Sequence, residues 1–199
     1  MANKWFTTAA LAVGLVAIPA VASAETQVRI FGGVSENQNS DVTYYYGSYQ
    51  GEVSIDSGFV VGAAYGGVYG NWVLEGELSF RESDLEEFTW TYGPDELDGD
   101  ISATAVMANA WYNFPLSGNF GVYVGGGAGL AQAEISEENV IGDDDSMEFI
   151  WQVGGGVNFR TASGYAFGVG YRHVEIGDVG TTGVELNSDE VIVEVSRRF

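Results

Sequence analysis

Residues 190–199 read EVIVEVSRRF. Steps of two back from Phe199 collect Arg197, Val195, Val193 and Val191, and the interleaved set is Arg198, Ser196, Glu194, Ile192 and Glu190. A period of two marks a β-strand with one apolar and one polar face. Soluble sheets and membrane barrels both use such strands, so the preceding segments must discriminate between them.

The same alternation recurs upstream. Trp72, Leu74, Leu78 and Phe80 alternate with Glu75, Glu77, Ser79 and Arg81; Phe120, Val122, Val124, Ala128 and Leu130 alternate with Tyr123 and four glycines. Phe149, Trp151, Val153, Val157 and Phe159 face away from Gln152, Gly154, Gly156, Asn158 and Arg160, and Tyr165, Phe167, Val169 and Tyr171 face away from two glycines and Arg172. Weaker copies cover 27–34, 58–68 and 101–114, giving eight strands with the last. The apolar faces carry the bulk while the opposite faces carry glycine, amides and charge. That is inverted for a water-soluble core and fits a barrel with lipid outside and a narrow polar interior. Full closure leaves no unpaired backbone edge in hydrocarbon.

The connections alternate in length. Gly70-Asn71, 115–119 and 161–164 are short turns, whereas 35–57, 82–100, 136–147 and 175–188 read as long polar loops. The predicted fold is therefore all-β: an eight-stranded antiparallel up-and-down transmembrane β-barrel with short periplasmic turns and four long acidic extracellular loops. Trp72, Trp111, Tyr112, Phe114, Phe120, Phe159 and Tyr165 gather near the short turns and are expected to form a periplasmic aromatic girdle.

Residues 1–24 carry Lys4, an apolar run and Ala22-Ser23-Ala24, the pattern of a cleaved signal peptide. Residues 25–199 are then one barrel domain, without cysteine. With Lys4 removed, 28 acidic residues stand against six arginines, a formal balance of −22. This excludes nucleic-acid binding through phosphate neutralisation.

The segments ANAWYNF, VGGGAGLA, VGGGVNF, GVGYRHVEIGD and the closing VIVEVSRRF resemble the small outer-membrane barrels of the opacity-protein and OmpA/OmpX type. The resemblance covers the whole of 25–199. It implies that Phe199, Val195, Val193 and Val191 form the signal read by the barrel-assembly machinery, with outer-membrane lipid and lipopolysaccharide as surroundings. Arg197 stands where that family generally has an apolar or aromatic side chain, and can snorkel toward headgroups.

Parity assigns Arg29, Arg81, Arg160, Arg172 and Arg198 to the lumen. Glu75, Glu77 and Glu194 are expected to neutralise them, with Glu194 between Arg172 and Arg29, because unpaired buried charge is costly. Such a network reads as a filled plug, and the alternative is a small cation-preferring pore. The run Asp143-Asp144-Asp145 offers carboxylates of the kind that take Ca²⁺ or Mg²⁺ but lacks a Gly-spaced calcium loop, so a solvated anionic surface is the preferred reading. Tyr44-Tyr45-Tyr46 and Tyr49 suit a contact surface for a ligand. Lipid A acyltransferases and deacylases resemble this chain in strand number, yet no nucleophile and base share a strand face here. His173 falls on the lipid side with Tyr171, and no enzyme activity or cofactor is expected. The expected role is structural or surface-interactive: envelope integrity and presentation of the acidic, Tyr-bearing loops.

Overall fold

A computed structural model describes residues 25–37, 40–43, 50–90, 93–137, 146–179 and 184–199. Its strands are β1 (Glu25–Asn37), β2 (Ser40–Thr43), β3 (Gln50–Tyr69), β4 (Trp72–Trp90), β5 (Gly93–Pro115), β6 (Phe120–Glu137), β7 (Ser146–Arg160), β8 (Tyr165–Val179) and β9 (Val184–Arg198). Eight of them close an antiparallel ring, each hydrogen-bonded to its sequence neighbour, with β1 pairing both β9 and β3. The short β2 pairs only onto the outer end of β3 and is not a barrel stave.

Each short turn contains one glycine at positive φ: Gly70 at 63°, Gly118 at 76° and Gly164 at 86°. Side chains with a Cβ resist that region, so glycine lets three hairpins reverse within a few residues. The turn after β7 is further closed by Thr161, whose amide and hydroxyl both donate to the Tyr165 carbonyl, at 2.7 and 3.0 Å.

Parity separates two faces around the whole ring. Val28, Ile30, Val34, Phe59, Val61, Leu74, Leu78, Leu130, Phe149, Val157, Phe167, Val169, Val191 and Val193 lie exposed on the outside. So continuous an apolar band would be unstable in water and is what hydrocarbon requires. Inside, glycine makes room for large partners. A Cβ at Gly125 would come within 2.8 Å of the Trp111 ring, and one at Gly156 within 2.7 Å of the Tyr123 hydroxyl.

The long connections differ from the expectation. Residues 82–100 are mostly strand: β4 and β5 remain paired through Glu82↔Ser102, Asp84↔Asp100 and Glu87↔Glu96 up to Trp90↔Gly93, with one bulge. Residues 35–57 likewise include β2 and the first part of β3, and 175–188 include the ends of β8 and β9. Beyond the membrane both faces of a strand meet water, so the apolar alternation vanishes although backbone pairing continues. The length and acidity of the extracellular segments beyond these strands lie outside the described residues.

Candidate functional site: the ionic lumen

Three arginines and four glutamates converge inside the barrel. Arg29 on β1 donates through Nη2 to Glu75 and, at 2.9 Å, to Glu77 Oε2 on β4; its Nη1 donates to Glu194 Oε2 on β9 at 3.0 Å. Arg172 on β8 crosses the lumen to Glu77 Oε1 at 3.1 Å and reaches Glu190 Oε2 on β9 at 2.6 Å. Arg81 completes the run by donating from Nε to Glu190 Oε1 at 2.7 Å and from Nη1 to Ser79 Oγ at 2.8 Å. Glu194, Arg29, Glu77, Arg172, Glu190 and Arg81 thus form one unbroken chain of ion pairs across four strands, β1, β4, β8 and β9.

Neutral groups complete its coordination. Trp111 Nε1 donates to Glu75 at 2.8 Å, Asn109 Nδ2 donates to Glu77 at 2.9 Å, and Gln152 Nε2 donates to Asn109 at 2.8 Å. Phe31 lies between two guanidinium groups, with Arg172 at 4.4 Å and Arg29 at 4.9 Å from its ring centroid. Glu77, Glu190 and Arg172 are at most 2% exposed, so each depends on its partners for the solvation it has lost. Alongside this chain, on the wall formed by β5–β8, the lumen turns apolar. Ala103, Ala105, Met107, Ala131, Ala133, Ile150, Val174 and Ile176 pack there as one buried cluster. Phe31, Val60 and Ile192 fill the adjoining wall.

The structure revises several sequence expectations. Glu194 reaches Arg29 but not Arg172, whose carboxylate partners are Glu77 and Glu190; Arg172 lies opposite Glu190 in the β8–β9 register. Glu190 joins the expected network as a fourth carboxylate, and its parity with Ile192 and Glu194 points it inward. Trp111 is no part of the girdle: it is 5% exposed and packs edge-on against Tyr123, its centroid 5.7 Å away. Its even spacing from Asn109 and Met107 carries it to the lumen face. Arg160 and Arg198 are lumen-side but lie below the ion chain at the turn end, where Arg198 Nε donates to Gln27 Oε1 at 3.2 Å.

The remaining girdle residues sit around the turn end of the barrel. Tyr112 contacts Trp72 and Phe114, at centroid distances of 4.9 and 4.7 Å, and Phe120 contacts Phe159 at 5.1 Å. Tyr165 and Phe199 cover Arg197, which donates to the Tyr165 hydroxyl at 3.1 Å. Val191, Val193 and Phe199 are exposed on the outer face and Val195 is half-buried there. His173 is on the outside, and its Nδ1 lies 2.9 Å from Asp189 Oδ1, which also accepts from the Tyr171 hydroxyl at 2.7 Å. Asp143, Asp144, Asp145, Tyr44, Tyr45, Tyr46 and Tyr49 lie outside the described residues.

A closed sheet with apolar staves outside and an ionic, solid interior defines a transmembrane β-barrel. The chain belongs to the outer membrane protein beta-barrel domain family, whose profile matches residues 8–199. No curated protein sequence matches it. Among solved structures it is similar to Neisserial surface protein A, at 19% identity and a TM-score of 0.54, covering 89% of this chain and 98% of that one. It is also similar to the outer membrane protein OprG from Pseudomonas aeruginosa, at 13% identity and a TM-score of 0.55, covering 89% and 97%. At these identities the likeness concerns the fold, and with the family it identifies an outer-membrane protein.

Proposed function

We propose that the protein is a non-conducting, non-catalytic anchor that holds extended extracellular hairpins at the cell surface and contributes to envelope integrity. The observation that carries this reading is the filling of the lumen. An ion entering from the periplasm meets a chain of buried ion pairs. Alongside it, on the β5–β8 wall, pack Ala, Met, Ile and Val side chains, against which a bare charge has no solvation. In this reading residues 1–24 direct export, and Val191, Val193, Val195 and Phe199 present the closing strand to the assembly machinery. The acidic, tyrosine-bearing extracellular segments meet lipopolysaccharide and any surface ligand.

Single-channel recording of the refolded protein in a planar bilayer tests the reading. A silent, fully folded barrel is expected, and Glu75→Gln and Arg172→Gln should also stay silent, because each keeps the side-chain volume that fills the lumen and leaves the apolar wall in place. Discrete cation-selective steps that respond to either substitution would overturn it in favour of a narrow pore.

A further inference from the structure

The periplasmic end of the lumen is built differently from the layers above it. The three short turns frame an open cavity of about 290 Å³, lined in part by Arg160, Arg198, Asn113, Asn158, Gly118 and Asn119. Its roof, at Asn113, Asn158 and Arg160, is shared with a smaller space of about 30 Å³ that runs up to Arg29, Glu75 and Tyr123. Tyr123 is 7% exposed, lines this inner space, and its hydroxyl has no protein partner. The two spaces form one recess with an unsatisfied polar group at its inner end.

The charge balance of this recess is the reverse of the chain's. The three arginines above are each paired with buried carboxylates, whereas Arg160 and Arg198 share a single ion pair among the described residues, from Arg198 Nη1 to Glu25 Oε2 at 4.0 Å. Glu25 is itself exposed. Arg198 keeps one hydrogen bond to Gln27. Arg197, one residue away, is occupied on the outer face by Tyr165 and Phe199. Two guanidinium groups with free donors therefore open on a cavity large enough for a small solute, and planar N–H forks of this kind match tetrahedral oxyanions.

We propose that this periplasmic mouth binds a phosphate-type oxyanion between Arg160 and Arg198, carried either by a soluble phosphate ester or by an inner-leaflet lipid headgroup. The Tyr123 hydroxyl and the Asn113 and Asn158 amides would receive the polar remainder of the ligand or the water that accompanies it.

Inorganic phosphate is the probe. The protein is refolded into alkyl maltoside micelles, which contain no phosphate, and titrated at constant ionic strength. The guanidinium Nε–Hε signals of Arg160 and Arg198 and the amides of Gly118 and Asn119 are followed by NMR. Saturable shifts confined to these groups are expected, weakened roughly tenfold or more by Arg160→Gln or Arg198→Gln and less by Arg160→Lys. Folding of each variant is checked by its heat-dependent gel shift. Absence of saturation, or equal shifts in the folded Arg160→Gln/Arg198→Gln double variant, would overturn the proposal. Repeating the titration in nanodiscs identifies the source. Binding present in the micelles but lost in phospholipid discs supports a lipid headgroup already in place, and binding kept in the discs supports a soluble ester.

Discussion

Glu77 holds two arginines at once, Arg29 through one carboxylate oxygen and Arg172 through the other, with Asn109 as a third donor. Glu77→Gln keeps the shape but leaves both guanidinium groups short of charge in a buried site. Breaking a buried pair in this way costs about 3–5 kcal/mol, so urea unfolding from lipid vesicles should show a clearly lowered midpoint. Arg197→Gln serves as the contrast. It loses an exposed cation–π contact worth about 0.5–1 kcal/mol and should barely shift the transition. The composition of this cluster was partly legible beforehand. Parity placed Arg29, Arg81, Arg172, Glu75, Glu77 and Glu194 on the inner face, because side-chain direction alternates regularly along a strand. The pairing was not legible, since it depends on register between strands far apart in sequence: Arg29 and Glu194 are separated by 165 residues. Glu190 escaped because it adjoins a stretch rich in polar residues. Trp111 was misplaced because proximity to a turn was weighed and its parity was not.

The turns and staves set a different kind of constraint. At Gly118 a Cβ would meet nothing within 4 Å, so substitution is resisted by backbone conformation alone, at a φ of 76°. Gly118→Ala should cost about 1–2 kcal/mol in the same urea assay. Gly76 has equally open space but lies in the middle of β4, without a positive φ, so Gly76→Ala should be neutral or stabilise by about 0.5–1 kcal/mol. Opposite signs at two unobstructed glycines would separate the backbone effect from packing. The eight staves were readable wherever lipid enforces a contrast between faces. Their extensions were not. The sequence of 82–100 shows no clean apolar alternation, and only hydrogen-bond register reveals that β4 and β5 continue to Trp90 and Gly93.

For the molecule as a whole, the inversion of inside and outside is directly measurable. Trp72 is 48% exposed on the outer face and Trp111 is buried in the lumen. Variants retaining one or the other tryptophan, reconstituted in brominated lipid, should differ sharply. Trp72 emission should be strongly quenched, and Trp111 emission should resemble that in unbrominated lipid. Comparable quenching of both would mean that Trp111 reaches the bilayer and that β5 carries the opposite parity.

The distribution of the buried charges among the staves also gives barrel closure a particular role. Of the buried charges in the ion chain, Arg29, Glu75, Glu77, Arg81 and Arg172 lie on staves other than β9, three cations against two anions. Glu190 and Glu194 are carried by the final stave, which is the same segment that pairs with β1. A sheet whose last stave has not docked therefore carries uncompensated positive charge on its concave face, and joining first strand to last removes it in the same movement that seals the seam. The last stave acts as an electrostatic latch: until it docks, the interior has a reason to stay wet and open, and once it docks, water has little left to solvate.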